Sequence, residues 1–163
     1  MSKFYWLVMR KILFIILAST SITVNGQHIG LGQQLAEDAM ALIIFIEMGN
    51  IGTKDQDCQN ITFLTGDIEK VVDEEIAPLL VRLARSDSKS NKNEVDEMIQ
   101  LLKVFSNKTQ MGKRVLLDSY NKTKKEIAET YEKNQICTAL SVMFQTIVHQ
   151  RRLSLKQISK SLL

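Results

Sequence analysis

From residue 27 onward, apolar side chains recur at helical spacing through most of the sequence, and Pro78 is the only proline. Apolar residues three and four positions apart share one face of an α-helix, and that face needs a covering partner. From residue 27 onward no β-hairpin dipeptide between strand-like runs, no internal repeat and no long heptad run is evident. The pattern therefore predicts an all-α fold: a small bundle of four to five helices, closed by one disulfide.

The predicted helices are separated by polar or glycine-containing stretches. Their approximate limits are residues 33–48, 60–84, 93–105, 110–132 and 136–163. We expect the first helix to be the most buried, because Ala41–Ile46 contains no polar side chain. Gly49–Gly52 should end this helix. A restart at Thr65–Gly66 is an alternative start for the second helix, which Pro78 should kink or end because proline has no N–H and clashes with the preceding turn.

The first 26 residues have the three regions of a secretory signal peptide. Basic residues precede an apolar run, Ile12–Ala18, and small polar residues follow it. We expect cleavage between Gly26 and Gln27 and a secreted, extracellular product. Translation from Met9 would give a shorter basic front and stays open as an alternative to Met1.

Cleavage would leave residues 27–163, a length that suits a single helical domain. No stable membrane insertion is expected, because the apolar run of the signal peptide is shorter than the roughly 20 residues that span a bilayer. The net charge of +3 belongs entirely to the signal peptide, since the rest of the chain has 18 basic and 18 acidic residues. A neutral domain gives no support to nucleic-acid binding, so no nucleic-acid partner is expected.

The charges are unevenly distributed along the chain. Residues 27–101 hold 14 acids and 6 bases, a net charge of −8, and residues 102–163 hold 4 acids and 12 bases, a net charge of +8. We favour the interpretation that acidic early helices pack antiparallel to basic late helices. The alternative is an exposed basic face near the C-terminus that binds an acidic partner or a membrane.

Cys58 and Cys137 are the only cysteines of the chain. In the oxidising secretory route, an even number of cysteines predicts one disulfide, here between Cys58 and Cys137. A bridge between two copies and a pair of free thiols are the alternatives. Two cysteines without a nearby histidine do not indicate a metal site, and we expect neither metal nor cofactor.

Three Asn-x-Thr sequons follow the signal peptide, at Asn60, Asn107 and Asn121. Each is a candidate acceptor for N-glycosylation. Asn107 and Asn121 are 14 positions apart, close to four helical turns, so within one helix they would share a face. That face would have to be exposed to solvent.

The sequence offers few residues for catalysis. It has two histidines, His28 and His149, and none of the nucleophile, zinc-protease or phosphate-loop motifs. Asp73–Glu75 lies between apolar positions of an amphipathic helix, which is typical of a solvated face. We therefore predict that the protein is not an enzyme.

The dibasic pair Arg151–Arg152 is a candidate processing site. Cleavage after Arg152 would release residues 153–163, a short cationic amphipathic peptide. We favour the interpretation that this segment completes the last core helix, because 11 residues form a marginal helix alone.

Several functions are compatible with these features. The first is a secreted glycoprotein that binds an extracellular protein or signals through a receptor; the likeness to secreted four-helix cytokines is one of architecture alone. The second is a carrier of a small apolar ligand, since seven methionines and an apolar first helix suit an adaptable pocket. A seminal-fluid type or other rapidly varying secreted protein, and the precursor of a C-terminal peptide, are further alternatives.

Overall fold

A computed structural model describes residues 30–86, 96, 99, 100, 102 and 110–163. Within these residues the protein is all helical, with no strand and four main helices. They are α1 (Leu31–Lys54), α2 (the consecutive segments Ile68–Val71, Val72–Ile76 and Ala77–Ser86), α3 (Gln110–Ala128) and α4 (Ile136–Ser161). This confirms the predicted fold class. Most of the helix predicted over 93–105 lies outside the described residues, although Asp96, Ile99, Gln100 and Leu102 are helical.

α1 is the most buried helix, as the sequence predicts. The six consecutive residues 41–46 are each at most 1% exposed, and Met40 and Met48 beside them are also buried. A helix that is apolar on all sides must be covered on all sides, which places α1 at the centre of the bundle.

α1 is longer than predicted, because Gly49 and Gly52 lie inside the helix. A Cβ atom on Gly49 would lie 1.9 Å from the carbonyl oxygen of Leu64, and one on Gly52 would lie 2.7 Å from the ring of Phe63. These glycines let the chain that follows α1 fold back against it. The expectation that Gly49–Gly52 ends the helix is wrong, since the glycines serve close packing rather than termination.

α2 begins at Ile68, after Asp67, whose carboxylate accepts a hydrogen bond from the backbone N–H of Glu69 at 3.0 Å. The prediction of a helix from residue 60 is wrong, because residues 62–67 have no regular structure. Asn50 of α1 holds this stretch: its amide donates to the carbonyl of Gly66 at 2.9 Å and accepts from the N–H of Gly66 at 3.1 Å. A long-range contact thus replaces the first turns of the predicted helix.

Pro78 does not end α2, which continues to Ser86. The preceding turn, Val72–Ile76, is π-helical, and the N–H of Ala77 donates to the carbonyl of Val72, five residues earlier. In a regular α-helix proline has no N–H to donate, and its ring clashes with the carbonyl four residues earlier. The wider π turn before Pro78 places the preceding carbonyl groups differently from a regular α turn. The predicted disturbance is therefore a local π turn and not a helix end.

α1 and α4 run antiparallel. Asp38, early in α1, pairs with Arg151, late in α4, whereas Cys58, just after α1, is bonded to Cys137 at the start of α4. α3 also runs opposite to α4, because only the seven residues 129–135 join the two helices. These directions match an up-and-down bundle.

α2 runs parallel to α4. Glu75 pairs with Arg152, and seven residues further along both helices Arg82 donates to the hydroxyl of Ser159 at 3.1 Å. The centre of the core is the ring of Phe144, which contacts three aromatic rings from different parts of the chain. The centroid distances are 5.7 Å to Phe45, 6.1 Å to Phe63 and 6.2 Å to Tyr120.

Candidate functional site

Ion pairs link the acidic first half of the protein to the basic second half. Each joins a carboxylate before residue 102 to a base after it, at distances of 2.7–2.9 Å. The pairs are Asp38–Arg151, Glu75–Arg152, Asp55–Lys124 and Asp57–Lys124. They agree with the favoured interpretation that acidic early segments pack against basic late ones, and the predicted antiparallel direction holds for α1 against α4. For α2 the predicted direction is wrong, because α2 runs parallel to α4.

The disulfide-end cluster consists of Asp55, Asp57, Tyr120 and Lys124. The ammonium of Lys124 donates to Asp55 at 2.7 Å and to Asp57 at 2.8 Å, and the hydroxyl of Tyr120 donates to Asp55 at 2.9 Å. Tyr120 is 2% exposed, and the side chain of Asp55 is 15% exposed. The cluster connects the end of α1 to the middle of α3, next to the disulfide.

The pKa values of Asp55, Lys124 and Tyr120 in the disulfide-end cluster are shifted away from neutral pH. Burial alone would raise the pKa of Asp55, but hydrogen bonds from Lys124 and Tyr120 outweigh it and lower this pKa below its ordinary value. Burial alone would lower the pKa of Lys124, but hydrogen bonds to Asp55 and Asp57 outweigh it and raise this pKa. Burial and the bond to Asp55 both raise the pKa of Tyr120. Near neutral pH Asp55 stays ionised, Lys124 stays protonated and Tyr120 stays neutral, so the three groups are poor proton donors or acceptors there.

The local sequence around Lys124 does not point to this cluster, because its polar neighbours are typical of a solvated face. In the structure the ammonium of Lys124 is held by two carboxylates, and its side chain is only 23% exposed. The partners are 67 and 69 positions away in the sequence, so no local pattern points to them.

A second polar cluster, the Asp38 cluster, joins α1 to α4 and consists of Asp38, Arg151, Ser154 and Gln34. Asp38 is 2% exposed, accepts from the guanidinium of Arg151 at 2.9 Å and accepts from the hydroxyl of Ser154. Gln34 donates to Ser154 at 3.1 Å. A buried carboxylate needs such partners, so the cluster specifies how α1 lies along α4.

The predicted disulfide joins Cys58 to Cys137, with 5.4 Å between their Cα atoms. Cys58 is buried at the end of a 3-10 turn, Gln56–Cys58, and Cys137 is partly buried near the start of α4. The bond joins the stretch between α1 and α2 to the start of α4, because α2 begins only at Ile68. Its residues belong to one chain, unlike a bridge between copies.

Two of the three sequons lie in the described residues. Asn60 is exposed in the turn after the disulfide, and Asn121 is exposed on α3. Asn107 and the signal cleavage site, Gly26 and Gln27, lie outside the described residues, so the predictions for them stay predictions.

Asn121 is one of the residues that line an open groove of about 1300 Å³ between the end of α1, the start of α2 and α3. Apolar side chains of Ile51, Ile68, Leu116 and Leu117 line it beside the disulfide-end cluster. None of its described lining residues belongs to α4. The groove could hold a small ligand with an apolar part.

Arg151 and Arg152 lie in the interior of α4 and are partly buried. Arg152 makes two hydrogen bonds of 2.9 Å to Glu75, and Leu155 and Ile158 beyond the pair belong to the core. A protease needs an extended substrate strand, which a paired helical segment does not provide. This geometry favours the core-helix interpretation over release of residues 153–163.

His28 lies outside the described residues, and the remaining candidate residues within them are solvent-facing or partnered. His149, Asp73 and Glu74 are exposed, while Glu75 binds Arg152. In the described parts of the chain, no group of three or more His, Cys, Asp or Glu residues is placed to hold a metal ion. No helix among the same residues has both the length and the apolarity to cross a membrane.

The outer face of α4, defined by Val142, His149, Leu153, Lys156 and Lys160, is exposed along its length. Val142 and Lys160 are 18 positions apart, which is five helical turns, so they lie on one line along the helix. Val142 is 58% and Leu153 is 47% exposed. α4 contains no acidic residue. The outer face therefore combines apolar and basic side chains.

No protein-family description, curated protein or solved structure matches the chain.

Proposed function

We propose that the protein is a secreted, disulfide-bonded glycoprotein that acts without catalysis, by binding an acidic surface of another extracellular protein through the outer face of α4. The observation that carries this proposal is the exposed row of apolar and basic side chains along that face. Apolar contacts surrounded by a charged rim are the usual composition of a protein interface.

Export is supported by the covalent chemistry of the chain. Cys58 and Cys137 lie at disulfide distance, and disulfides persist in oxidising compartments. Asn60 and Asn121 are both exposed, so the folded protein has room for a glycan at each site. The N-terminal sequence provides the export signal in this proposal.

A binding role without catalysis is supported by the state of the polar groups. Asp55, Tyr120 and Lys124 satisfy one another, and the direction of each pKa shift makes them weaker acids or bases near neutral pH. Their role is to fix α3 against α1.

The chemistry of the partner follows from the charge of α4. Arg151 and Arg152 are neutralised by Asp38 and Glu75, whereas Lys156 and Lys160 are exposed on the outer face. Acidic side chains on a partner would complement these lysines, and Leu153, one turn before Lys156 on the same face, would make an apolar contact beside them.

Gel filtration of the extracellular medium, with the protein detected by antibody, tests the proposal. The native protein should elute in a complex larger than the monomer, and the purified protein alone should elute as a monomer. Leu153→Asp with Lys156→Glu should abolish the complex. Raising the salt concentration from about 0.1 M to about 1 M should weaken it, because salt screens exposed charges.

The matched control is Leu117→Asp with Lys125→Glu on α3. Leu117 is 48% exposed, almost the same as Leu153, but it lines the groove instead of the outer face of α4. This variant should keep the complex. Absence of any complex, or its loss only in the α3 variant, would contradict the proposal.

A carrier of a small apolar ligand is the second candidate, favoured by the groove beside Leu116 and Leu117. Organic extraction of the natively secreted protein, followed by mass spectrometry, tests it. A stoichiometric ligand that Leu117→Asp removes would support the carrier, and an extract without a ligand would exclude it. The seminal-fluid alternative stays a prediction from the sequence.

A further inference from the structure

The two described sequons present their acceptor groups very differently. N-glycosylation requires access to the asparagine amide and to the hydroxyl two positions later. At the first site Asn60 lies in an exposed turn and Thr62 is exposed in the irregular stretch that follows. At the second site Asn121 is exposed, but Thr123 is only 5% exposed.

The hydroxyl of Thr123 is also occupied. It donates a hydrogen bond of 2.8 Å to the carbonyl of Ser119, one turn earlier in α3. Asn121 and Thr123 both lie inside a 19-residue helix, whose middle is anchored by the buried ring of Tyr120. Exposing the hydroxyl requires opening α3 together with its contacts to the core.

We propose that Asn121 accepts a glycan only while the chain is unfolded, whereas Asn60 also accepts one after the disulfide-bonded protein has folded. This inference extends the glycosylation that the proposed function includes. It predicts that Asn121 is glycosylated in competition with folding, so that its occupancy depends on how fast α3 forms.

The donor is an oligosaccharide linked to a lipid through pyrophosphate. The asparagine Nδ2 attacks the anomeric carbon, the Nδ2–C1 bond forms and the bond between C1 and the phosphate oxygen breaks. The lipid pyrophosphate leaves, and one amide proton passes to a basic group of the transferase. The fold changes only access to this reaction and not its chemistry.

The test uses the protein made with its disulfide in a bacterial host that does not glycosylate it. Every sample carries Asn107→Gln, so that only Asn60 and Asn121 are compared. A purified oligosaccharyltransferase and a lipid-linked oligosaccharide are added to the folded protein, and in parallel to the reduced and alkylated unfolded chain. Mass spectrometry of peptides measures occupancy at each asparagine.

The unfolded chain should be modified at both sites, and the folded protein at Asn60 alone. Folding should reduce modification of Asn121 relative to Asn60 by roughly tenfold or more, because stable helices open rarely. Urea below the unfolding transition should accelerate modification of Asn121 and leave Asn60 unchanged. Thr62→Ala and Thr123→Ala, each made separately, confirm that the measured glycan requires the sequon.

Equal modification of both sites in the folded protein would overturn the inference. Failure of the folded protein to accept a glycan at Asn60 would overturn it as well, and so would failure of the unfolded chain at either site. None of these results depends on whether the outer face of α4 binds a partner, so the two proposals fail separately.

Discussion

The two ends of the bundle are held together in different ways. At the disulfide end, a covalent bond and the partly exposed disulfide-end cluster fix α1, α3 and the start of α4. At the opposite end, no disulfide is present among the described residues, and the buried Asp38 cluster and the Glu75–Arg152 pair hold α1 and α2 against α4. The disulfide stabilises its end mainly by restricting the unfolded chain. The polar contacts at the opposite end instead select the register in which the helices pack.

The largest expected effect is removal of the covalent bond. Cys58→Ser with Cys137→Ser should lower the free energy of unfolding by about 4–5 kcal/mol, because the bond closes a loop with a sequence separation of 79 and restricts the unfolded chain. Urea denaturation monitored by circular dichroism measures this loss. A loss below about 1 kcal/mol would show that the noncovalent contacts at this end are sufficient by themselves.

The next largest effect is expected at the other end. Asp38→Ala should lower the free energy of unfolding by about 3 kcal/mol, because it removes the buried carboxylate that accepts hydrogen bonds from the guanidinium of Arg151 and the hydroxyl of Ser154. Asp38→Leu with Arg151→Met should recover most of this loss in the same denaturation experiment. If the double replacement were as unstable as Asp38→Ala, the ion pair would not explain the effect.

Within the disulfide-end cluster we expect a smaller effect. Tyr120→Phe keeps the buried ring but removes the hydrogen bond to Asp55, which should lower the free energy of unfolding by about 1–2 kcal/mol. Thermal unfolding at neutral pH measures the change. Tyr131→Phe is the control, because Tyr131 is 47% exposed, and it should have no measurable effect.

The Tyr120 prediction also has a pH dependence. In the folded protein the pKa of Asp55 is lower than its ordinary value of 3.8. The ionised carboxylate therefore contributes its full stabilisation above pH 3.8 and loses it as the pH falls through the lower pKa of the folded state. The difference between wild type and Tyr120→Phe should therefore shrink as the pH falls below 3.8. A difference that persists unchanged in acid would contradict a bond to the ionised carboxylate.

The smallest effect is expected from Arg152→Ala. The side chains of Arg152 and Glu75 are 38% and 33% exposed, so solvent screens the pair, and we expect a loss of about 0.5 kcal/mol. Chemical denaturation at low and high salt checks this value. A loss as large as that of Asp38→Ala would mean that both ion pairs of this end fix the helix register.

Much of the fold was predictable because the buried residues of a helix recur at intervals of three and four positions in the sequence. The limits of α4, the central position of α1 and the bond between Cys58 and Cys137 follow from apolar spacing and from the number of cysteines. The candidate surfaces were less predictable. The alternative of a basic face near the C-terminus is narrowed by the structure to Lys156 and Lys160 on α4, since Arg151 and Arg152 have carboxylate partners.

Local periodicity and residue count are enough to predict that the described chain is helical, that its first helix is central and that the two distant cysteines pair. The continuation of α1 through Gly49 and Gly52, the contact of Asn50 with the stretch before α2 and the pairing of Lys124 are seen in the folded protein alone. Each of these depends on atoms from chain segments distant in sequence that meet only after the helices pack. In the sequence, a glycine that ends a helix looks the same as a glycine that leaves room for a neighbouring carbonyl. Only the packing contact tells the two roles apart.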